Sequence, residues 1–172
     1  MTLDRVSQDP PQGQTSVTRR SDCELAVTRI VNAAPHLVYE AWTKADLFKR
    51  WWVPKSLGMT LLSCELDVRV GGTYRLVFLH PSAPDGMAFH GRYLEVEPAA
   101  RLVWTNEEEG GSGQVTTVTF EARDGKTRVV VLDRYPTKLS LDEAIRSGST
   151  NGDMMETFNQ LEELLAATQT QN

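Results

Sequence analysis

Seven short stretches of alternating or β-rich residues follow one another between Cys23 and Tyr135, and one long amphipathic stretch closes the chain. They run over residues 23–31, 63–70, 74–80, 89–97, 102–106, 115–121 and 127–135. In the first, Leu25, Val27, Arg29 and Val31 fall on one face and Ala26, Thr28 and Ile30 on the other, the period of a strand. Most of the separators are turn signals: Gly71–Gly72, "PSAPDGMA" (81–88), "EEEGGSG" (107–113) and "RDGK" (123–126). Strands joined by short turns pair antiparallel, because parallel neighbours need long crossovers. At the end, Met154, Phe158, Leu161 and Leu165 recur at helical spacing, widened by Met155 and Leu164.

Two short helices interrupt the strands. Pro35 suits a first helical position, where its missing N–H costs nothing, and "PHLVYEAW" places Leu37, Val38, Ala41 and Trp42 on one stripe. "KADLFKRWW" follows and ends before Pro54, with Thr43 and Asp46 spaced as a capping box. "SLDEAIRS" carries a second such box, Ser140 with Glu143, and suggests a further short helix. Ser149 or Thr150 is placed to cap the last helix. The class is α+β: a curled antiparallel sheet facing a long C-terminal helix, with space for a cavity between them.

A chain of 172 residues supports one core. The expected organisation is a flexible tail over 1–21, one domain over 22–167 and a frayed end over 168–172, the tail being rich in Pro, Gln, Ser, Thr and Asp. The charge of −5, from 18 basic and 23 acidic residues, argues against a nucleic-acid partner held by bulk charge. No apolar run reaches the roughly 20 residues of a membrane helix, and the N-terminus has no signal-peptide core. Cys23 and Cys64 form no CxxC pair and read as buried free thiols of a cytoplasmic protein.

In this setting "AVTRIVNAAPHLVYEAWTKADLFKRWWVP", "DVRVGGTYRLVF", "HGRYLEVEPAARLVWTNEE", "VTTVTF" and "TFNQLEELLA" resemble, in order, the activator of heat-shock-protein-90 ATPase homologue-like family. That family belongs to the START-like, or SRPBCC (Bet v 1-like), superfamily, and the resemblance covers about residues 23–166. It implies a helix-grip fold: a seven-stranded antiparallel sheet wrapped around a long C-terminal helix, with two short helices after the first strand. It also implies an enclosed cavity of the kind the superfamily uses for lipids, hormones or polyketides. Many relatives carry a Gly-Trp pair early in the last helix; here the stretch reads "STNGDMMETF", with Gly152 and no Trp.

No phosphate-binding loop, dinucleotide fingerprint, zinc-protease helix or nucleophile elbow is present, and His36, His80 and His90 have no metal spacing. No cofactor and no metal is therefore expected. A hairpin with His80 opposite His90 would also set Arg75 opposite Glu95 and Leu76 opposite Leu94, and would place Tyr74, Leu76, Phe78, His90, Arg92, Leu94 and Val96 on one face. On that basis the expected cavity wall is Trp42, Trp51, Trp52, Tyr74, Leu76, Phe78, His90, Arg92, Trp104, Phe120, Met154, Met155, Phe158 and Leu161. Of the adjacent Trp51 and Trp52, about 100° apart on a helix, one is expected in the core and one at an interface or cavity mouth. Arg75 and Arg92 could grip a ligand carboxylate, or pair along the strands.

No spacing identifies a general acid or base, so the reading favours non-catalytic binding of a hydrophobic or amphipathic small molecule, lipid-like or aromatic. One alternative is a protein-interaction module, co-chaperone-like or a regulator's partner, or a homodimer, with an exposed apolar edge near Trp51–Trp52. The other is an enzyme of aromatase or cyclase type.

Overall fold

The computed structural model describes residues 9–107, 113–146 and 152–169. The elements are β1 (Thr15–Arg19), β2 (Glu24–Val31), α1 (Pro35–Thr43), α2 (Ala45–Trp51), β3 (Thr60–Leu66), β4 (Thr73–His80), β5 (Ala83–Glu97), β6 (Arg101–Thr105), β7 (Val115–Arg123), β8 (Lys126–Arg134), α3 (Lys138–Arg146) and α4 (Gly152–Gln169), with a single 3-10 turn at Lys55–Leu57. Among the described residues the strands form one antiparallel sheet in the order β1-β2-β8-β7-β6-β5-β4-β3. With α4 packed on its inner face, this is the helix-grip architecture that the resemblance implied.

The sheet has eight strands where seven were expected. The extra one is β1, from the stretch assigned to the tail, paired antiparallel with β2. Its sequence, TSVTR, holds a single large apolar residue, because an edge strand can leave most of its length to solvent. Upstream, Asp9 accepts hydrogen bonds from both Arg123 and Arg128, so the chain is tied down before β1 begins.

Local signals set the turns. Asp124 and Gly125 both have positive φ, 51° and 79°, the two-residue hairpin turn that an Asp-Gly pair favours. Gly71 has φ 82°, and a Cβ on Gly72 would lie 2.0 Å from the Asp67 carbonyl oxygen. Pro35 opens α1 after an extended Ala34. Neither expected capping box forms as read. Thr43 donates back to the Tyr39 carbonyl at 2.9 Å, and α2 starts from an extended Lys44. In α3 the cap is Thr137: its hydroxyl accepts the Ser140 N–H at 3.1 Å, and the Ser140 hydroxyl accepts the Thr137 N–H at 3.2 Å. The same reciprocal pairing thus starts three residues earlier. Ser149 and Thr150 lie outside the described residues.

The core fills the space between the inner sheet face and α1, α2 and α4, with Val38, Trp51, Leu102, Val118, Val129, Phe158 and Leu161 at or near zero exposure. A smaller cluster of Leu25, Tyr135 and Leu141 lies under α3. One charged residue crosses this core. Arg29, 1 % exposed, donates to Thr15 Oγ1 at 3.0 Å and Asn159 Oδ1 at 2.8 Å, and pairs with Glu162 of α4. Cys23 and Cys64 are free, and both are half-buried rather than buried.

Candidate functional site

The inner faces of β3 to β6 and the first turns of α4 do not meet. They leave a cavity of about 400 Å³, within the range of small-molecule sites. The sheet supplies Leu66, Tyr74, Leu76, Phe78, Phe89, Tyr93 and Trp104; α1, α2 and the segment after it supply Trp42, Phe48, Trp52, Val53, Pro54 and Met59; α4 supplies Met154 and Thr157. Asn106 and Gln114, which flank the β6–β7 connection, complete the lining.

The aromatic wall is held by interlocked rings. Trp42 stands edge-on to Trp51 at 4.8 Å and to Trp52 at 5.6 Å, and Phe48 stacks on Trp52 at 4.7 Å. Trp51 is fully buried and donates from Nε1 to the Ala41 carbonyl at 2.9 Å; Trp52 is half-buried and lines the cavity. Two α4 side chains fix the segment after α2. Gln160 donates to the carbonyls of Trp51 (2.9 Å) and Val53 (2.8 Å) and accepts the Lys55 N–H (3.0 Å), while Glu156 accepts the Ser56 N–H at 3.0 Å. Neither was anticipated. A Gln inside an amphipathic helix carries no periodic signal for what it will clamp.

One end of the cavity is polar. The Tyr74 hydroxyl donates to the Thr105 carbonyl at 2.7 Å and lies 3.2 Å from Asn106 Oδ1. Asn106 Nδ2 donates to the Gln114 carbonyl (3.2 Å) and to Thr116 Oγ1 (3.3 Å), and Thr116 donates to Asp133 at 2.6 Å. Burial pushes the Asp133 carboxyl above its ordinary range, and hydrogen bonds from Thr116 and Gln114 pull it part-way back. Burial also pushes up the Tyr93 phenol and takes the Cys64 thiol to about 11. Both groups stay protonated at neutral pH.

Gly91 makes this end possible. It lies opposite Tyr74 in the sheet, and a Cβ there would be 2.0 Å from the Thr105 carbonyl oxygen and 2.8 Å from the Tyr74 ring.

Of the expected wall, Trp42, Trp52, Tyr74, Leu76, Phe78, Trp104 and Met154 line the cavity. Trp51, Phe120, Phe158 and Leu161 lie in the packed core, and Met155 is 51 % exposed. His90 and Arg92 are corrections: both are exposed on the outer face. The β4–β5 turn is formed by Pro81–Ser82, so His80 lies opposite Ala83, and His90 lies opposite Arg75 instead of His80. That is a displacement of five positions along β4. An odd displacement reverses which residues of β5 face inward. Phe89, Gly91 and Tyr93 take the inner face, and Leu94 is exposed. Arg92 pairs with Glu107 at 3.0 Å, and Glu95 pairs with Arg101 at 2.6 Å rather than with Arg75. Glu107, read as part of a solvated loop, is held by Arg92 and Thr105.

Residues 32–166 match the family model described as Activator of Hsp90 ATPase homolog 1-like protein. The chain belongs to this family. Solved structures agree with the fold of a family member. A protein of Rhodobacter sphaeroides superposes with TM-score 0.80 at 23 % identity, over 90 % of this chain and 99 % of that one. One from Nitrosomonas europaea gives 0.78 at 24 %, over 88 % and 99 %. A protein of Aeromonas hydrophila, described as AHSA1-like, gives 0.67 at 20 %, over 81 % and 92 %. No curated protein matches the chain.

This family member brings no group of three or more His, Cys, Asp or Glu side chains together to hold a metal ion, among the described residues. No helix among them is long and apolar enough to cross a membrane.

Proposed function

We propose that this protein binds a hydrophobic or amphipathic small molecule in the cavity between the sheet and α4, without chemical turnover. One observation carries the reading: about 400 Å³ of space remains inside an otherwise packed domain, walled by Trp, Tyr, Phe, Leu and Met side chains and polar at one end. Protein interiors otherwise pack to crystal-like density, so a space this large has to be sustained by its surroundings. The rings and the Gln160 clamp sustain it here.

The chemistry of the wall favours binding over catalysis. General acid–base work needs a group that titrates near the working pH, whereas the Tyr93 phenol of the wall is pushed further from neutrality by burial. The protein-interaction alternative predicts an exposed apolar edge, with Trp51–Trp52 as its expected place; Trp51 is fully buried and Trp52 lines the cavity, so the pair does not form that edge.

The test is to compare native with denaturing mass spectrometry of the purified protein, then to run a thermal-shift panel of apolar ring compounds and lipids. A bound mass, or a melting shift of several degrees, is the expected result. A protein that carries nothing and responds to nothing would overturn the reading.

A further inference from the structure

This inference rests on the binding reading above and names the chemistry of the ligand. Among the described residues, no Arg, Lys, His, Asp or Glu lines the cavity. Both arginines that could have met a carboxylate lie elsewhere: Arg75 and Arg92 are exposed on the outer face. From the polar end the hydrogen bonds run through Asn106 and Thr116 to the buried carboxyl of Asp133. It offers no counter-charge to an anion. An ionised carboxylate entering this space would lose its hydration and gain no cationic partner, which is unfavourable.

One polar group of the wall has no bond within the protein. Tyr93 is 4 % exposed and its ring lines the cavity. Its hydroxyl has no hydrogen-bond partner among the described residues. The polar side-chain atoms sealed off without a partner are Arg29 Nε and Trp42 Nε1, and the Tyr93 oxygen is not one of them. Burial keeps the phenol protonated, so it can donate. Tyr74 stands beside it, ring centroids 6.0 Å apart, with its own proton directed at Thr105.

We infer that the cavity selects an uncharged ring compound bearing a hydroxyl or carbonyl oxygen, which accepts the proton of Tyr93, and that it discriminates against the corresponding carboxylate. The aromatic wall supplies affinity for the rings, and Tyr93 supplies the polar contact.

Three probes of one shape test this at pH 7.5: naphthalene, 2-naphthol and 2-naphthoate, each titrated against the intact protein with tryptophan fluorescence as the readout. The expected order of affinity is naphthol, then naphthalene, then naphthoate, with naphthol at least about tenfold tighter than naphthoate. In Tyr93→Phe, the advantage of naphthol over naphthalene should vanish. That variant removes an oxygen the fold does not bond, so it keeps the native structure. Naphthoate binding as tightly as naphthol, or an unchanged preference in Tyr93→Phe, would overturn this inference and leave the binding reading standing. Binding of none of the three would overturn this inference; the reading beneath it fails only if the wider panel and native mass spectrometry are also blank.

Discussion

The guanidinium of Arg29, in the middle of β2, pairs with the carboxylate of Glu162 on α4, and the same carboxylate accepts the N–H of Asn32 at 3.1 Å. The pair joins the sheet to the helix that closes it. Arg29 is almost wholly enclosed, whereas Glu162 keeps 20 % of its side chain exposed. Removing the acid leaves an enclosed cation without a counter-charge, the costly way to break such a pair. Glu162→Ala should therefore lose about 3 kcal/mol, the low end of the usual range because Glu162 is partly solvated. The double variant Arg29→Met, Glu162→Leu should recover most of that loss. Urea unfolding of the three proteins checks this, and equal losses in single and double variants would contradict it.

A second prediction concerns Gly91. A methyl group there meets the Thr105 backbone oxygen at 2.0 Å, and the backbone has little room to retreat inside a paired strand. Gly91→Ala should cost at least about 3 kcal/mol, above the ordinary range for overpacking. It should also displace the Tyr74 ring and change tryptophan emission through Trp104, whose ring lies 6.5 Å from Tyr74. Thermal melting and fluorescence together read both effects. A stability within about 1 kcal/mol of the wild type would show that this close approach does not constrain the fold.

Gln160 provides a third. Its amide satisfies the carbonyls of Trp51 and Val53 and the N–H of Lys55. Gln160→Leu keeps an apolar body in the helix and strips those partners, at a cost of about 1–3 kcal/mol. The wall formed by Trp52 and Val53 should loosen, so hydrogen exchange should quicken over residues 51–55 more than over β7 and β8. Uniform exchange across the domain would contradict the clamp.

The acid response has a definite sign at Asp133. Its folded-state pKa is raised above the unfolded value by burial. The native state thus has its full stability with respect to this group below the unfolded carboxylate pKa, and loses some as pH rises through the folded one. Asp133→Asn removes that loss. Its stability relative to the wild type should improve between pH 4 and pH 7. A difference independent of pH would contradict the assignment. Glu107, Asp142 and Glu156 act oppositely: hydrogen bonds from Arg92, Lys138 and Ser56 respectively lower them, so their contribution is present above the unfolded pKa and fades on acidification.

Much of the architecture was legible because it rests on local signals. The alternation from Leu25 to Val31, the proline at position 35, the Asp124–Gly125 turn and the stripe from Met154 to Leu165 each act within a few residues. The inner face of β5 was not legible. "PSAPDGMA" has the composition of a loop, yet Ala83 to Ala88 continue the strand and the chain turns at Pro81–Ser82. Gly86, at φ 88°, lets the strand pass through an irregularity that the pairing with β4 accommodates. Turn composition alone does not fix register. An error of five positions exchanged His90 and Arg92 for Phe89 and Tyr93, and so turned an apolar wall into an apparently charged one. β1 was hidden for another reason: much of what holds it is its backbone pairing with β2 and the bond from Arg29 to Thr15, not apolar burial.

The most direct test of the cavity as a binding site is to fill it. Leu76 lines it from the middle of β4, and Leu76→Trp would place a large ring in the empty space. Wild type and variant would be melted with and without each compound that shifts the wild type. A ligand at about a hundred times its dissociation constant adds about 2.7 kcal/mol, or about 5–10 °C for a domain of this size. The expected result is such a shift in the wild type and none in a folded Leu76→Trp. Equal shifts in both proteins would contradict the assignment of binding to this cavity.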